Sequence, residues 1–175
     1  MTTPTSRVIG SIRAENGSGT VHMEEVYDTP AADLWSAVTE PDRLARWVAE
    51  VTGDLRVGGE FHARFTSGWD GPGRVDVCEP PRRLLATMSP GTDDETVIEA
   101  TLADERGRTR LVIEERGIPL GEIAAHGAGW QAHVEDLAAH LAGRDPADWR
   151  ERWIELEPGY SDSAAALFKK SQNDN

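Results

Sequence analysis

Three regularly spaced histidines are the residues whose types and spacing first suggest chemistry. His126, His133 and His140 recur every seven residues, and at about 100° per residue they fall along one edge of an α-helix. Metal ligands on one helix lie three or four residues apart, whereas seven residues span roughly 10 Å, so no metal site is predicted. The spacing favours polar boundary residues of an amphipathic helix. The alternative is that His126 and His133 are hydrogen-bonding groups at a cavity mouth.

Glu115 is a second candidate for chemistry. It shares one face of a predicted strand with Thr109, Leu111 and Ile113. If it points inward, burial would raise its pKa and suit a general base. The preferred interpretation is an exposed strand end paired with Arg116 or another surface cation. No GxSxG, P-loop, dinucleotide-binding or kinase motif is present, so no catalytic set is complete and no cofactor is predicted.

A long predicted helix positions the histidines. It lies within Ile118 to Gly143 and ends at that glycine, with Pro146 beyond it. Residues at helical spacing form a narrow apolar stripe, namely Ile123, Trp130, Val134, Leu137 and Leu141. The polar residues off the stripe are predicted to face solvent, namely Glu122, Gln131, Glu135 and Asp136. Such a helix, coming after strands, is expected to cover the inner face of a sheet.

The chain before this helix predicts strands interrupted by two short helices. A strand over Thr20–Tyr27 precedes a helix with Thr29 as its N-cap and Pro30 at its first position, and Pro41 opens a second helix. Strands resume at Leu55, separated by proline- or glycine-rich connections. The predicted strands include Glu60–Phe65, Arg74–Glu79, Arg83–Met88, Thr96–Ala103 and Arg108–Glu115. Their close spacing favours an antiparallel meander, and with the helices an α+β fold.

One domain between two tails is predicted. Residues 1–18 are small, polar and poor in pattern, so they are expected to form a loose N-terminal tail. The domain spans residues 19–157 and ends with a short amphipathic helix from Pro146 to Leu156 that carries Trp149 and Trp153. Residues 158–175 are predicted to be a flexible C-terminal tail.

Composition argues against several classes of partner. Lys and Arg number 18 against 31 Asp and Glu, which gives a formal net charge of −13. Binding to nucleic acid or to anionic membranes is therefore not expected. The single cysteine, Cys78, cannot form an internal disulfide, which favours a reducing compartment. Since neither a signal peptide nor an 18-residue apolar run is found, a cytoplasmic location is expected.

Several short motifs, in their order and spacing, resemble those of the family of activator of heat-shock-protein-ninety ATPase homologues. They cover about residues 20 to 142 and comprise Pro30…Leu34-Trp35…Thr39-Glu40-Pro41…Leu44…Trp47, the run Asp54 to Phe61, Gly73-Arg74-Val75 with Glu79-Pro80-Pro81, Thr109-Arg110-Leu111, and His126…Gly129-Trp130. This family belongs to the START-like (SRPBCC) superfamily. The resemblance implies a helix-grip fold, in which a curved antiparallel sheet wraps around the long C-terminal helix and a cavity for an apolar ligand lies between them.

The sequence departs from the family pattern in two places. The strand Leu84–Met88 ends in methionine where relatives often have tryptophan. Glu115, Arg116 and Gly117 stand where members often carry a histidine, a small residue and glycine. Both changes are expected to alter the pocket without altering the fold.

The resemblance turns several aromatic and polar residues into candidate ligand contacts. These are Trp35, Trp47, Phe61, Phe65, Trp69, Met88, Glu115, His126, Trp130 and His133. As single residues, Trp35, Trp47, Phe61 and Trp130 are more often simple core positions. Trp69 differs because it lies in a glycine-rich segment from Ser67 to Gly73, where a large apolar side chain suggests a mobile lid.

Three functions remain open from the sequence. The first is a binding module for a hydrophobic or polycyclic small molecule, acting as a carrier, a sensor or a sequestering resistance protein. The second is an enzyme like the polyketide cyclases and aromatases that share this fold. The third, suggested by the family name, is a co-chaperone with a protein partner. The binding module is the preferred interpretation, because nothing in the sequence completes a catalytic set.

Overall fold

The computed structural model describes residues 8–173, and its central feature is one eight-stranded antiparallel sheet. In chain order the strands are β1 (Ser11–Glu15), β2 (Ser18–Tyr27), β3 (Ala49–Gly53), β4 (Glu60–Phe65), β5 (Asp70–Glu79), β6 (Arg83–Met88), β7 (Thr96–Glu105) and β8 (Arg108–Ile118). They lie side by side in the order β1-β2-β8-β7-β6-β5-β4-β3. The predicted meander is confirmed, since each strand from β3 to β7 pairs with the next strand along the chain.

Four α-helices accompany the sheet. They are α1 (Ala31–Thr39), α2 (Pro41–Leu44), α3 (Ile123–Leu141) and α4 (Trp149–Asn173), with a 3₁₀ turn over Leu120–Glu122 before α3. Pro30, rather than the predicted Thr29, occupies the N-cap of α1, and no side chain caps this helix. The Thr29 hydroxyl donates to the Asp33 side chain (2.6 Å). Within residues 8–173 no helix is long and apolar enough to cross a membrane.

The α3 helix lies against the concave face of the sheet. Ile123 and Leu137 are fully buried, and Trp130 and Val134 are nearly so. The Tyr27 hydroxyl of β2 donates to the backbone carbonyl of Val134 (3.1 Å), which ties the helix to the sheet. The apolar stripe therefore packs as predicted, and the α+β helix-grip fold expected from the sequence is confirmed.

The opposite side of α3 is also buried, contrary to the prediction for two of its polar residues. Gln131 and Asp136 were expected to face solvent but are almost fully buried. Gln131 accepts hydrogen bonds from the Tyr160 hydroxyl (2.6 Å) and from the backbone N–H of Ile9 (3.1 Å). Asp136 accepts one from the N–H of Ala147 (3.1 Å). These residues are buried because α4 and the segment leading to it cover this side of the helix.

Both predicted tails contain regular structure. At the N-terminus, β1 pairs with β2 over its whole length, while residues 1–7 lie outside the described part of the chain. At the C-terminus, α4 continues through residues predicted to be flexible and buries Leu156, Tyr160 and Ala164. Residues 174–175 lie outside the described part. The tail predictions are thus wrong for 11–15 and for 158–173, because both segments pack against α3 or the sheet.

The glycine-rich segment that follows β4 is shorter as a loop than predicted. Residues 70–73 belong to β5 and pair with β4, so only residues 66–69 form the turn. A Cβ atom built on Gly71 would come within 2.9 Å of the Trp69 ring, and one on Gly73 within 2.3 Å of the Phe61 ring. These glycines let aromatic rings lie directly on the strand.

Candidate functional site

An apolar chamber lies between the sheet, the two short helices α1 and α2, and Trp130 of α3. Its volume is about 160 Å³. Its lining is almost wholly apolar and includes Trp47, Phe61, Ala63, Ala86, Ile113 and Trp130. The Trp47 indole is held in place because its N–H donates to the backbone carbonyl of Ala37 (2.9 Å). This lining offers a ligand burial of apolar surface and almost no hydrogen bonding.

A larger polar cleft adjoins the chamber. Its volume is about 640 Å³, and its lining includes Trp69, Thr96, Glu115, His126, His133 and Trp149. Four residues line both cavities, namely Phe65, Met88, Ile98 and Trp130. The two cavities therefore share a wall. A ligand with an apolar part and a polar part has a matching environment for each.

A buried carboxylate organises the floor of the polar cleft. Glu115 of β8 is only 6% exposed and accepts hydrogen bonds from three side chains. The donors are His126 Nδ1 (2.7 Å), the Trp130 indole N–H (3.0 Å) and the Thr96 hydroxyl (2.9 Å). The inward direction that strand alternation suggested for Glu115 is the one found, and the preferred exposed pair with Arg116 is not.

The ionisation of Glu115 is opposite to the sequence prediction. Burial acts to raise its pKa, but the hydrogen bonds and charge of His126, with Trp130 and Thr96, outweigh burial and lower the pKa. Burial likewise acts to lower the pKa of His126, and Glu115 outweighs it, so that pKa is raised. The pair is therefore an ion pair. Glu115 is therefore a carboxylate whose oxygens already accept hydrogen bonds, rather than a general base with a raised pKa.

His133 has a very different environment. It is 3% exposed and surrounded by the rings of Phe65, Trp130 and Trp149, at centroid distances of 6.0, 5.6 and 5.3 Å. Burial lowers its pKa to about 4, against a smaller opposing effect of a hydrogen bond with the Trp47 backbone. His133 is therefore neutral at pH 7. It is a cleft residue rather than the helix-boundary residue that the spacing favoured.

The predicted lid residue, Trp69, sits at the rim of the cleft. Its ring makes an edge-on contact with Phe65, with centroids 5.4 Å apart, and it lies over Gly71 of β5. The backbone carbonyl of Trp69 accepts a hydrogen bond from the N–H of Phe65 (2.8 Å). Trp69 therefore belongs to a short hydrogen-bonded hairpin turn.

The structure brings nine of the ten candidate ligand contacts to the two cavities. Trp47 and Phe61 line the chamber, while Trp69, Glu115, His126 and His133 line the cleft, and Phe65, Met88 and Trp130 line both. Trp35 lines neither cavity and packs, partly buried, against the core. The third histidine, His140, also lies elsewhere and accepts a hydrogen bond from the Arg43 guanidinium (3.1 Å).

Two tryptophans of α4 are cleft residues that the sequence analysis did not propose as ligand contacts. Trp149 and Trp153 both line the cleft. Trp149 packs against Gly129 of α3, where an added Cβ would lie 3.4 Å from its ring. The Trp153 indole N–H donates to the backbone carbonyl of Ala125 (3.0 Å). Their spacing of four residues, which places both rings on one helix face, was the available signal.

The charges around the cleft are mainly acidic. Its lining contains the carboxyl groups of Asp70, Asp94, Glu115 and Glu122, against the cationic side chains of His126 and Arg150. Within residues 8–173 no three His, Cys, Asp or Glu side chains are placed to hold a metal ion together. The arrangement favours neutral or cationic ligands over anions.

The sequence matches a known protein family. The model of the family described as "Activator of Hsp90 ATPase homolog 1-like protein" matches residues 28–142, which is more than half of the 175 residues. The chain belongs to this family. The match contains most of the sheet and all of α3, so it includes the shared wall of both cavities. No protein with a curated description matches the sequence significantly.

Solved structures share the activator-homologue fold. The crystal structure of CalU16 from Micromonospora echinospora has a TM-score of 0.75 and 24% identity, covering 89% of this chain and 96% of that one. EF2215 from Enterococcus faecalis has a TM-score of 0.72 and 19% identity, covering 90% and 91%. At these identities the likeness shows the fold alone. DynU16, from the dynemicin biosynthetic locus, is 30% identical with a TM-score of 0.66, covering 74% of this chain and 50% of that one.

Proposed function

We propose that this member of the activator-homologue family binds a hydrophobic or polycyclic small molecule between its sheet and α3. The observation that supports this proposal most directly is the pair of adjoining cavities, one apolar and one polar. They share the lining residues Phe65, Met88, Ile98 and Trp130. Concave, mainly apolar sites with a few converging polar groups are typical of small-molecule binding. The Trp130 ring lies in the wall shared by the two cavities, and its indole N–H donates to Glu115. Because this bond holds the ring in place, it supports a preformed site.

The biological role of such binding is part of the proposal. A carrier, a sensor and a sequestering resistance protein all need a cavity of this kind and no catalytic set. DynU16 is described as a protein of the dynemicin biosynthetic locus, which supports a role beside a biosynthetic pathway. A co-chaperone role has less support, since only four large apolar side chains are exposed within residues 8–173, namely Ile9, Val57, Ile154 and Phe168.

A titration with N-phenyl-1-naphthylamine, a neutral polycyclic dye, tests the proposal. We expect the dye to bind with micromolar or better affinity. Its fluorescence intensity should increase as it moves from water into the apolar site. Ala86→Trp places a large ring in the chamber wall and should weaken binding at least about tenfold. Ala32→Trp, on the exposed side of α1, is the matched control and should bind as the parent does. Equal dye affinity in both variants, or no binding to the parent, would contradict the proposal.

One observation favours a cyclase-like enzyme as the second candidate. The Glu115–His126 ion pair places a proton on a histidine in the cleft, where it is available as a general acid. If this candidate is right, Glu115→Gln should lower turnover of a polyketide substrate by roughly 10²–10⁴-fold while the dye still binds. Unchanged turnover in that variant would exclude the pair from catalysis.

A further inference from the structure

Two buried polar atoms of the polar cleft have no partner within residues 8–173. They are Nδ1 of His133 and Nε1 of Trp149. Buried polar groups in folded proteins are nearly always hydrogen-bonded, since leaving one unpaired costs free energy. Both side chains line the same cleft, and their rings lie against each other at a centroid distance of 5.3 Å. Each nitrogen has almost no exposed surface, so a ligand in the cleft becomes the partner of both atoms as the two side chains shift to admit it.

The two atoms require opposite hydrogen-bonding roles. An indole N–H can only donate. A neutral imidazole has one N–H and one lone pair. The hydrogen bond with the Trp47 backbone raises the pKa of His133, as a bond donated by an imidazole N–H does, and since Nδ1 has no partner among the described residues we assign that N–H to Nε2. Nδ1 is then an acceptor. The site accordingly presents one acceptor on His133 and one donor on Trp149, on rings whose centroids lie 5.3 Å apart.

We propose that the polar cleft selects ligands that carry a neutral hydroxyl group on an aromatic ring. The hydroxyl donates its proton to His133 Nδ1 and accepts the indole N–H of Trp149. Phe65 and Trp130 line the cleft beside His133 and supply the apolar surface for the ligand ring. This inference rests on the proposed function and names the chemical class of its ligand.

Other polar groups fit the two atoms less well. An ether or ketone oxygen only accepts, so it would leave His133 Nδ1 unpaired. A protonated amine only donates, so it would leave the Trp149 N–H unpaired. A phenolate would meet the carboxylates of Asp70, Asp94 and Glu122 around the cleft, which disfavour an anion. The neutral hydroxyl satisfies both atoms and avoids the repulsion.

Competition against bound N-phenyl-1-naphthylamine at pH 7 tests the inference with three matched probes. These are 2-naphthol, 2-methoxynaphthalene and naphthalene, which differ only in the polar group. We expect 2-naphthol to compete about tenfold more strongly than either of the others, because a hydrogen bond to a buried unpaired group is worth about that factor. Since these three measurements use the unaltered protein, they do not depend on whether a variant folds.

Three conservative variants identify the atoms involved. His133→Phe keeps a ring at this position and removes the acceptor, and Trp149→Phe removes the donor, so each should reduce the preference for 2-naphthol over naphthalene. Trp35→Phe is the control. Trp35 lines neither cavity and packs, partly buried, against the core, so the substitution should leave both affinities and their ratio unchanged.

The outcomes separate this inference from the proposed function. If the dye binds but 2-naphthol, 2-methoxynaphthalene and naphthalene compete equally, the hydroxyl selection is wrong and the binding function stands. The selection is also wrong if His133→Phe retains the full preference for 2-naphthol. If neither the dye nor any naphthalene binds, the proposed function fails and this inference fails with it.

Discussion

At the scale of single residues, the Glu115–His126 pair decides the charge of the cleft. Strand alternation was enough to suggest that Glu115 points inward. The sequence could not show its partners, because Thr96 lies on a neighbouring strand, and His126 and Trp130 lie on a helix whose rotation about its axis is set by packing. With burial alone in view, a raised pKa was the expected direction. The three donors reverse it.

Replacing Glu115 should change the titration of His126. In the parent protein the pKa of His126 lies above its ordinary 6.5, because Glu115 stabilises the imidazolium despite burial. In Glu115→Gln burial remains and the anion is gone, so the pKa should fall below 6.5. Histidine chemical shifts followed against pH by NMR measure both values.

Glu122→Gln is the matched control for that titration. Glu122 is exposed and 3.7 Å from the other imidazole nitrogen of His126, so its removal should lower the His126 pKa by much less. A larger drop in Glu122→Gln than in Glu115→Gln would contradict the assignment of Glu115 as the main partner.

His133 should make the fold sensitive to acid. Its folded-state pKa of about 4 lies below the 6.5 of an unfolded chain, so the unfolded state binds more protons between these values. The stability from the neutral imidazole is complete above pH 6.5 and is lost as the pH falls toward 4. We expect a loss of roughly 2–3 kcal/mol between pH 7 and pH 4.5 from this group, measured by urea unfolding at both values.

A pH comparison with His133→Phe isolates that contribution. Asp136 acts in the opposite direction, because burial raises its pKa to about 6 and its proton uptake favours the folded state as the pH falls toward its ordinary 3.8. Asp136 is present in both proteins, so its effect cancels in the difference. The Phe variant should lose less stability on acidification than the parent, and an equal loss in both would argue against a neutral buried His133.

At the scale of elements, the sheet was more predictable than the segments that complete it. The strands β4 to β8 alternate and are separated by prolines and glycines, so their order and most of their bounds followed from the sequence. The α4 helix was missed beyond Leu156 because Pro158, Gly159 and three serines suggest flexibility. Its signal was nevertheless present, since Leu156, Tyr160 and Ala164 recur every four residues and are the buried face.

Substituting Gly127 tests how closely α3 and α4 pack against each other. A Cβ atom on Gly127 would lie 2.4 Å from the Tyr160 ring, so Gly127→Ala must displace Tyr160 or α4. We expect a loss of about 1–3 kcal/mol in the free energy of unfolding, measured by urea denaturation.

Gly121→Ala is the natural comparison for Gly127→Ala. Nothing lies within 4 Å of a Cβ at Gly121, so the substitution should be neutral or stabilise by up to about 1 kcal/mol through the unfolded state. Similar losses in both variants would indicate a general intolerance of alanine rather than close packing of the two helices.

At the scale of the whole molecule, the two faces of the sheet have different characters. The concave face holds the cavities and α3. On the other face charged side chains form a connected series, in which Glu114 bonds Arg13, His22 and Arg116, and Glu99 bonds Arg116 and Arg83. Exposed pairs of this kind each contribute little to stability. The sequence could indicate which strand face is apolar, but not which cations and carboxylates meet across strands.

Removing the C-terminal half of α4 should destabilise the entire fold. The Tyr160 hydroxyl accepts the N–H of Gly10 (3.0 Å) and donates to Gln131, so this helix joins the N-terminal strand to α3. A chain ending at Glu157 leaves Gln131 without the Tyr160 hydroxyl and exposes apolar surface that Tyr160 and Ala164 bury. We expect its melting temperature to fall by several degrees, since even about 1 kcal/mol shifts it by roughly 2–4 °C at this size.

A shorter truncation provides the control. A chain ending at Phe168 removes only residues that are exposed where the structure describes them and should melt near the parent temperature. If the chain that ends at Glu157 also melts at the parent temperature, residues 158–175 do not contribute to the stability of the fold.

The distribution of tryptophan gives the protein an intrinsic optical signal. Of its six tryptophans, Trp47 and Trp130 line the chamber, and Trp69, Trp130, Trp149 and Trp153 line the cleft. Indole emission responds to local polarity, so a molecule that displaces water from either cavity changes the light emitted by most of these residues. Occupancy can therefore be followed by ultraviolet fluorescence of the unlabelled protein, which suits a search through collections of colourless compounds.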